Sequence, residues 1–211
     1  MNIKKKTLVF LALAVLPSLL VLTSCNPVED DSKSSTLLLV ESMMGRDTSG
    51  AAASFLQSDV VNFAGVIFAD AATATLRAQF LDPSPIIKPS AYSDVVLDRY
   101  VVSYFRTDGR SREGVDVPYS FEGALTQVVK VNATATLSFI VVREAAKLEA
   151  PLVSLAKGGV GDGVIEMTAR VDFYGHDLLN NEVTATGYLT IFFANYADSA
   201  PAPPEEPEPT L

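Results

Sequence analysis

Few residues of this 211-residue chain carry obvious chemistry: one histidine, one cysteine and some clustered charges. His176 stands beside Asp177, and an imidazole next to a carboxylate is the beginning of a general base or a metal ligand. Such a site needs more, either a serine or cysteine nucleophile or further histidines, and no such pattern surrounds His176. Its expected place is a solvent-exposed turn. Among acidic loop residues, Asp162 sits in Gly158-Gly159-Val160-Gly161-Asp162-Gly163, from which it could converge with Asp172 and Asp177 on a cation. That loop has neither the regularly spaced oxygens of a calcium loop nor the Lys-Ser/Thr ending of a phosphate-binding loop. Arg106, Arg110 and Arg112 lie in a mixed-charge run with Asp108, Glu113 and Asp116. It reads as a solvated loop whose charges offset one another, or as a recognition loop, since loops mounted on a rigid scaffold often carry binding.

The cysteine is different, because its surroundings are specific. Three lysines, Lys4 to Lys6, precede a run from Thr7 to Leu22 that is almost wholly apolar. A positive segment, an apolar run and small residues near a cleavage point mark a secretory signal. The run is shorter than the roughly 20 residues that span a bilayer as a helix. The segment Leu22-Thr23-Ser24-Cys25 resembles the lipobox of bacterial lipoprotein precursors. That resemblance covers the first 25 residues and implies a diacylglyceryl group on the Cys25 thiol, with cleavage just before it. Each buried methylene adds about 0.8 kcal/mol, so two or three acyl chains hold a protein stably where one is marginal. Asn26 follows where aspartate commonly retains enterobacterial lipoproteins in the inner membrane, so the outer membrane is favoured. No other cofactor is expected, and a lipidated Cys25 is unavailable as a staple or nucleophile.

On this reading residues 1–24 are a signal peptide, 25–35 the lipidated cysteine and a flexible polar tether, 36–198 one folded domain, and 199–211 a Pro/Glu-rich disordered tail. Loss of Lys4, Lys5 and Lys6 moves the formal charge from −9 to −12. A chain so acidic is repelled by nucleic acid and by anionic headgroups, which excludes nucleic acid as a partner.

The domain shows strand periodicity throughout. Ala72 to Leu81 alternates Ala72, Ala74, Leu76, Ala78 and Phe80 against Thr73, Thr75, Arg77 and Gln79, one face inward and one in water. Val95 to Arg106 is a further strand, ending at the turn Thr107-Asp108-Gly109. Val128 to Val142 reads as one long strand, bent near Asn132 to Thr136. Val164 to Tyr174 and Glu182 to Tyr196 form a β-hairpin around a loop, Gly175 to Asn181. Thr36 to Met43 is a first strand, Ala51 to Gln57 one short helical turn, Val60 to Phe68 a strand or an irregular lead, and Tyr119 to Gly123 a short strand. Pro83, Pro85 and Pro89 mark a loop.

About seven strands, punctuated by Gly and Pro and with no long amphipathic helix, predict a single antiparallel β-sandwich. Tyr100-Val101-Val102-Ser103-Tyr104, closed by Asp108-Gly109, resembles a central strand of immunoglobulin-like and fibronectin type III-like domains, which implies that arrangement. The chain has no Trp and no cysteine pair, departing from the antibody hallmark. A closed lipocalin-like barrel is the alternative, though small Ala/Thr faces suit packed sheets better than a roomy cavity. The functional expectation is a non-catalytic, lipid-anchored envelope protein that binds or scaffolds another envelope component. The rival is a small-ligand or cation carrier, or a hydrolase, using loop carboxylates at one end of the sandwich.

Overall fold

The computed structural model describes residues 34–62, 64–81, 91–158 and 163–196. Cys25, most of the tether, the Pro83–Pro89 loop, Asp162 and the tail from residue 197 lie outside these. The described residues form nine strands: β1 (Thr36–Arg46), β2 (Ala52–Ala53), β3 (Phe55–Asp59), β4 (Asp70–Phe80), β5 (Val95–Phe105), β6 (Phe121–Val129), β7 (Ala133–Val142), β8 (Ile165–Asp177) and β9 (Glu182–Ala194). They form two sheets, ordered β2-β1-β4-β7 and β3-β9-β8-β5-β6. All pairings are antiparallel except β3 with β9.

The fold is therefore an all-β sandwich. Seven strands have nine residues or more, and the two short ones lie at sheet edges. Taking β1 and β3 as two halves of one first strand that changes sheets, the order is immunoglobulin-like. β1, β4 and β7 occupy the A, B and E places, and β9, β8, β5 and β6 run G-F-C-C′.

Alternation explains the core. On β4 Ala72, Ala74, Leu76 and Ala78 are buried; on β8 Met167, Ala169, Val171 and Phe173; on β9 Val183, Ala185, Leu189, Ile191 and Phe193. Small β4 side chains let rings from other strands fill the interior. Phe139 stands edge-on to Tyr100 at 5.1 Å and to Phe173 at 5.4 Å, joining the two sheets. Tyr104 is buried with them, its hydroxyl donating to the Val141 carbonyl at 2.6 Å.

Four local expectations are corrected. Ala51 to Gln57 forms no helical turn; it contributes to β2 and β3. Val128 to Val142 is two strands joined by a turn, because Asn132 takes a left-handed φ of 59° and its N–H donates to the Ala78 carbonyl at 2.7 Å. Strand β8 continues through Gly175, His176 and Asp177, so the hairpin loop is shorter than the sequence suggested. Two short helices, α1 (Glu144–Leu148) and α2 (Val153–Gly158), link β7 to β8 where no helix was expected. Val60 to Phe68 takes the irregular course among its described residues.

Candidate functional site

His176 lies on β8, not in a loop, and its partner is Asp98 rather than Asp177: Nδ1 is 3.0 Å from the Asp98 carboxylate. A β-bulge brings them together. Both pairings of β5 skip a residue between Leu97 and Arg99, leaving Asp98 unpaired and turned outward. Bulges re-aim side chains in this way. Gly175 permits the close approach, since a Cβ there would collide with the Val96 carbonyl oxygen. Beyond the bulge, the Arg99 guanidinium lies 4.0 Å from the centre of the Tyr174 ring.

Asp98, Arg99, Tyr174 and His176, with Asn180, Glu182 and Thr184, line a hollow of about 290 Å³ open to solvent. It holds hydrogen-bond donors and acceptors around one aromatic ring. No serine or cysteine lines it, and the one aliphatic hydroxyl in the lining belongs to Thr184. Among the described residues no three His, Cys, Asp or Glu side chains are placed to hold a metal ion. The arrangement suits binding.

Sequence reasoning missed Asp98 and Arg99, because Val96, Val101 and Phe105 are apolar too and mask the pattern. Buried residues occupy odd positions at Val95 and Leu97, then even ones at Tyr100, Val102 and Tyr104. A parity switch at a polar doublet is what one inserted residue produces.

The other candidate residues have internal roles or lie elsewhere. Asp177 is 1% exposed. Its carboxylate accepts from the Leu179 and Asn181 backbone N–H groups, both at 2.9 Å, and from the Asn181 amide. Burial pushes this carboxyl up, but the bonds from Asn181, Ser34 and Leu179 outweigh it and hold it below the ordinary value. Asp177 thus organises the β8–β9 turn. Arg106 and Arg110 both pair with Asp108, at 3.1 and 2.6 Å, and Arg112 pairs with Asp116 at 2.9 Å. Bonds from Arg110 hold the Asp108 carboxyl down at about 2. These loop charges offset one another and are not brought to His176. Asp172 faces outward on β8, in contact with Arg170 and Thr186.

At the opposite end of the sandwich, a broad groove of about 750 Å³ includes Asp47, Asp59, Asp70 and Tyr196 in its lining. Its carboxylates are engaged internally. Asp47 accepts from Ser49 and the Ala51 N–H, and Asp59 from the Tyr196 N–H. Asp70 meets the Lys147 ammonium at 2.9 Å and the Ser58 hydroxyl at 2.6 Å. Burial raises the Asp70 carboxyl even against the opposing pull of Lys147. Lys147, which the sequence did not single out, also donates to the Asp59 carbonyl at 2.6 Å.

Between these ends runs the outer face of the five-stranded sheet. Register places Arg99, Tyr174 and Thr184 in one row, Val101, Asp172 and Thr186 in the next, then Ser103, Arg170 and Tyr188, then Phe105, Thr168 and Thr190. Tyr188 is 58% and Phe105 37% exposed, and their rings meet edge-on at 6.4 Å. No protein-family model matches the chain, and a search of curated proteins finds no match.

Proposed function

We propose that this chain is a non-catalytic binding module of the bacterial cell envelope, lipid-anchored through Cys25, that engages its partner with the outer face of the five-stranded sheet. The observation carrying the reading is that face itself. It is a broad surface on which Tyr188, Phe105, Tyr174, Arg99 and Arg170 stand out from a filled core. Tyr and Arg are the side chains most often found at binding hot spots. The anchor rests on Leu22-Thr23-Ser24-Cys25 after an apolar run. The start of β1 lies at the His176 end, where Thr36 donates to the Ser93 carbonyl at 2.9 Å and Leu178 N–H donates to the Tyr92 carbonyl, and the acidic groove stands at the far end. Outer-membrane placement is the favoured address.

A second reading, a small-ligand or cation carrier or hydrolase, draws on the groove containing Asp47, Asp59 and Asp70. It ranks lower because Asp70 is paired with a lysine and Asp47 is taken up by its own turn.

Co-purification from detergent-solubilised membranes separates these readings. The same envelope component should be retained by the wild-type chain and lost from Tyr188→Ala, and Cys25→Ser should move the protein out of the membrane fraction. Retention by Tyr188→Ala, coupled with loss from Asp59→Asn, would favour the groove.

A further inference from the structure

If the outer face is the binding surface, its chemistry also limits the class of partner. Resting on that reading, we propose that the strip from the Asp98–His176 hollow to Tyr188 binds a neutral oligosaccharide. Three features of the strip support this assignment.

The first is its alternation. The Tyr174 and Tyr188 rows are four residues apart along β8, about 13 Å at the usual strand rise. Between them lies the row of Val101, Asp172 and Thr186, in which Asp172 accepts from Arg170 of the next row at 3.0 Å and from the Thr186 hydroxyl at 2.6 Å. The exposed Tyr188 ring beside a hydrogen-bonding row matches a chain of sugars, whose C–H faces stack on aromatic rings while their hydroxyls reach polar groups; Tyr174, its ring under the Arg99 guanidinium, bounds the strip at the hollow. A protein partner is better served by a contiguous apolar centre with a polar rim.

The second is charge. Arg170 pairs with Asp172 at 3.0 Å, Arg99 with Glu122 at 3.4 Å, and His176 with Asp98 at 3.0 Å. Both guanidinium groups of the strip already face a carboxylate, so a phosphate or an anionic lipid headgroup gains little there. A hydroxyl-rich neutral ligand loses nothing by the pairing, because side chains in an ion pair keep lone pairs and N–H groups for further bonds.

The third is the hollow. Its volume of about 290 Å³ would admit a single sugar ring, and its lining combines carboxylate, imidazole, guanidinium and amide groups. The bulge at Asp98 and the glycine at 175 are local devices that bring these groups to one place.

Calorimetric titration of the full chain in detergent, with a panel of neutral hexose and N-acetylhexosamine oligosaccharides, tests the assignment. At least one oligosaccharide should bind, and both Tyr188→Ala and His176→Ala should weaken it about tenfold, the usual scale for losing one aromatic or buried polar contact. Thr136→Ala, on the outer face of the other sheet, should leave binding unchanged; unfolding midpoints would show that all three variants are folded. The assignment is overturned if no neutral oligosaccharide binds, or if binding ignores both Tyr188 and His176. It is also overturned if a protein complex, and no sugar, depends on Tyr188. In that case the outer face remains the binding surface and only the ligand class falls.

Discussion

Lys147 on α1 places its ammonium 2.9 Å from the Asp70 carboxylate while only 1% exposed, joining a helix after β7 to the start of β4 across 77 residues of chain. It donates at the same time to the Asp59 carbonyl at the end of β3. One side chain therefore ties together the two sheets at the point where the first strand has crossed between them.

Removing the lysine should be costly. Lys147→Ala leaves Asp70 without its cation and opens a cavity, with an expected loss of about 3–5 kcal/mol. Lys147→Met combined with Asp70→Asn keeps the volume and removes both charges, and should recover most of that loss. Urea unfolding midpoints of the two variants check the ordering.

Asp177 should give part of the stability a definite acid dependence. Its folded carboxyl sits below the ordinary value of 3.8. Between that lowered value and 3.8 the unfolded chain binds more protons than the folded one, so stability rises with pH across this window. The contribution is complete above 3.8 and lost as pH falls through the folded value. Asp70, raised from 3.8 by burial, acts with the opposite sign: its folded form binds the extra proton, so stability falls as pH rises from 3.8 to its folded value. Asp177→Ala should cost about 2 kcal/mol near neutral pH, where the Leu179 and Asn181 donors lose their charged acceptor, and clearly less at pH 3. Denaturant titrations at several pH values would show whether the difference shrinks on acidification.

Gly175 should tolerate no side chain. A methyl group at this position meets the Val96 carbonyl, and relief requires β5 to move at its bulge. Gly175→Ala should destabilise by about 1–3 kcal/mol, in the range for overpacking, and separate His176 from Asp98. The imidazole proton shifts of this single histidine report the contact directly, and an unchanged spectrum would count against the bulge as the device that positions it.

The proposed anchor makes its own prediction. Radiolabelled palmitate should enter the wild-type chain and not Cys25→Ser, and equal labelling of both would remove Cys25 as the attachment point.

Which features were legible in the sequence depends on which interactions are local. The alternation on β4, β8 and β9 reads directly, because each inward position faces the same core. The bend expected near Asn132 was read as an irregularity within one strand, because Val129, Val131 and Ala133 continue the apolar alternation through what is a turn between two. The helices at Glu144 and Val153 are too short to show helical periodicity. Lys147 was invisible for a different reason: a lysine reads as solvent-facing until its distant partner Asp70 is known. His176 was noticed for its neighbour in sequence, Asp177, but consecutive strand residues point to opposite faces. Its actual partner, Asp98, lies across the sheet on β5. That pairing needed the register, and the apolar Val96 and Val101 hide in the sequence the switch that burial shows between Leu97 and Tyr100.

The central claim is that an envelope component is held on the outer face of the five-stranded sheet. A photo-reactive amino acid placed at position 188, compared with one at position 136 on the other sheet, addresses it in intact cells. Illumination should yield a discrete adduct from position 188 and none from position 136. Adducts from both positions alike, or from position 136 alone, would contradict the claim.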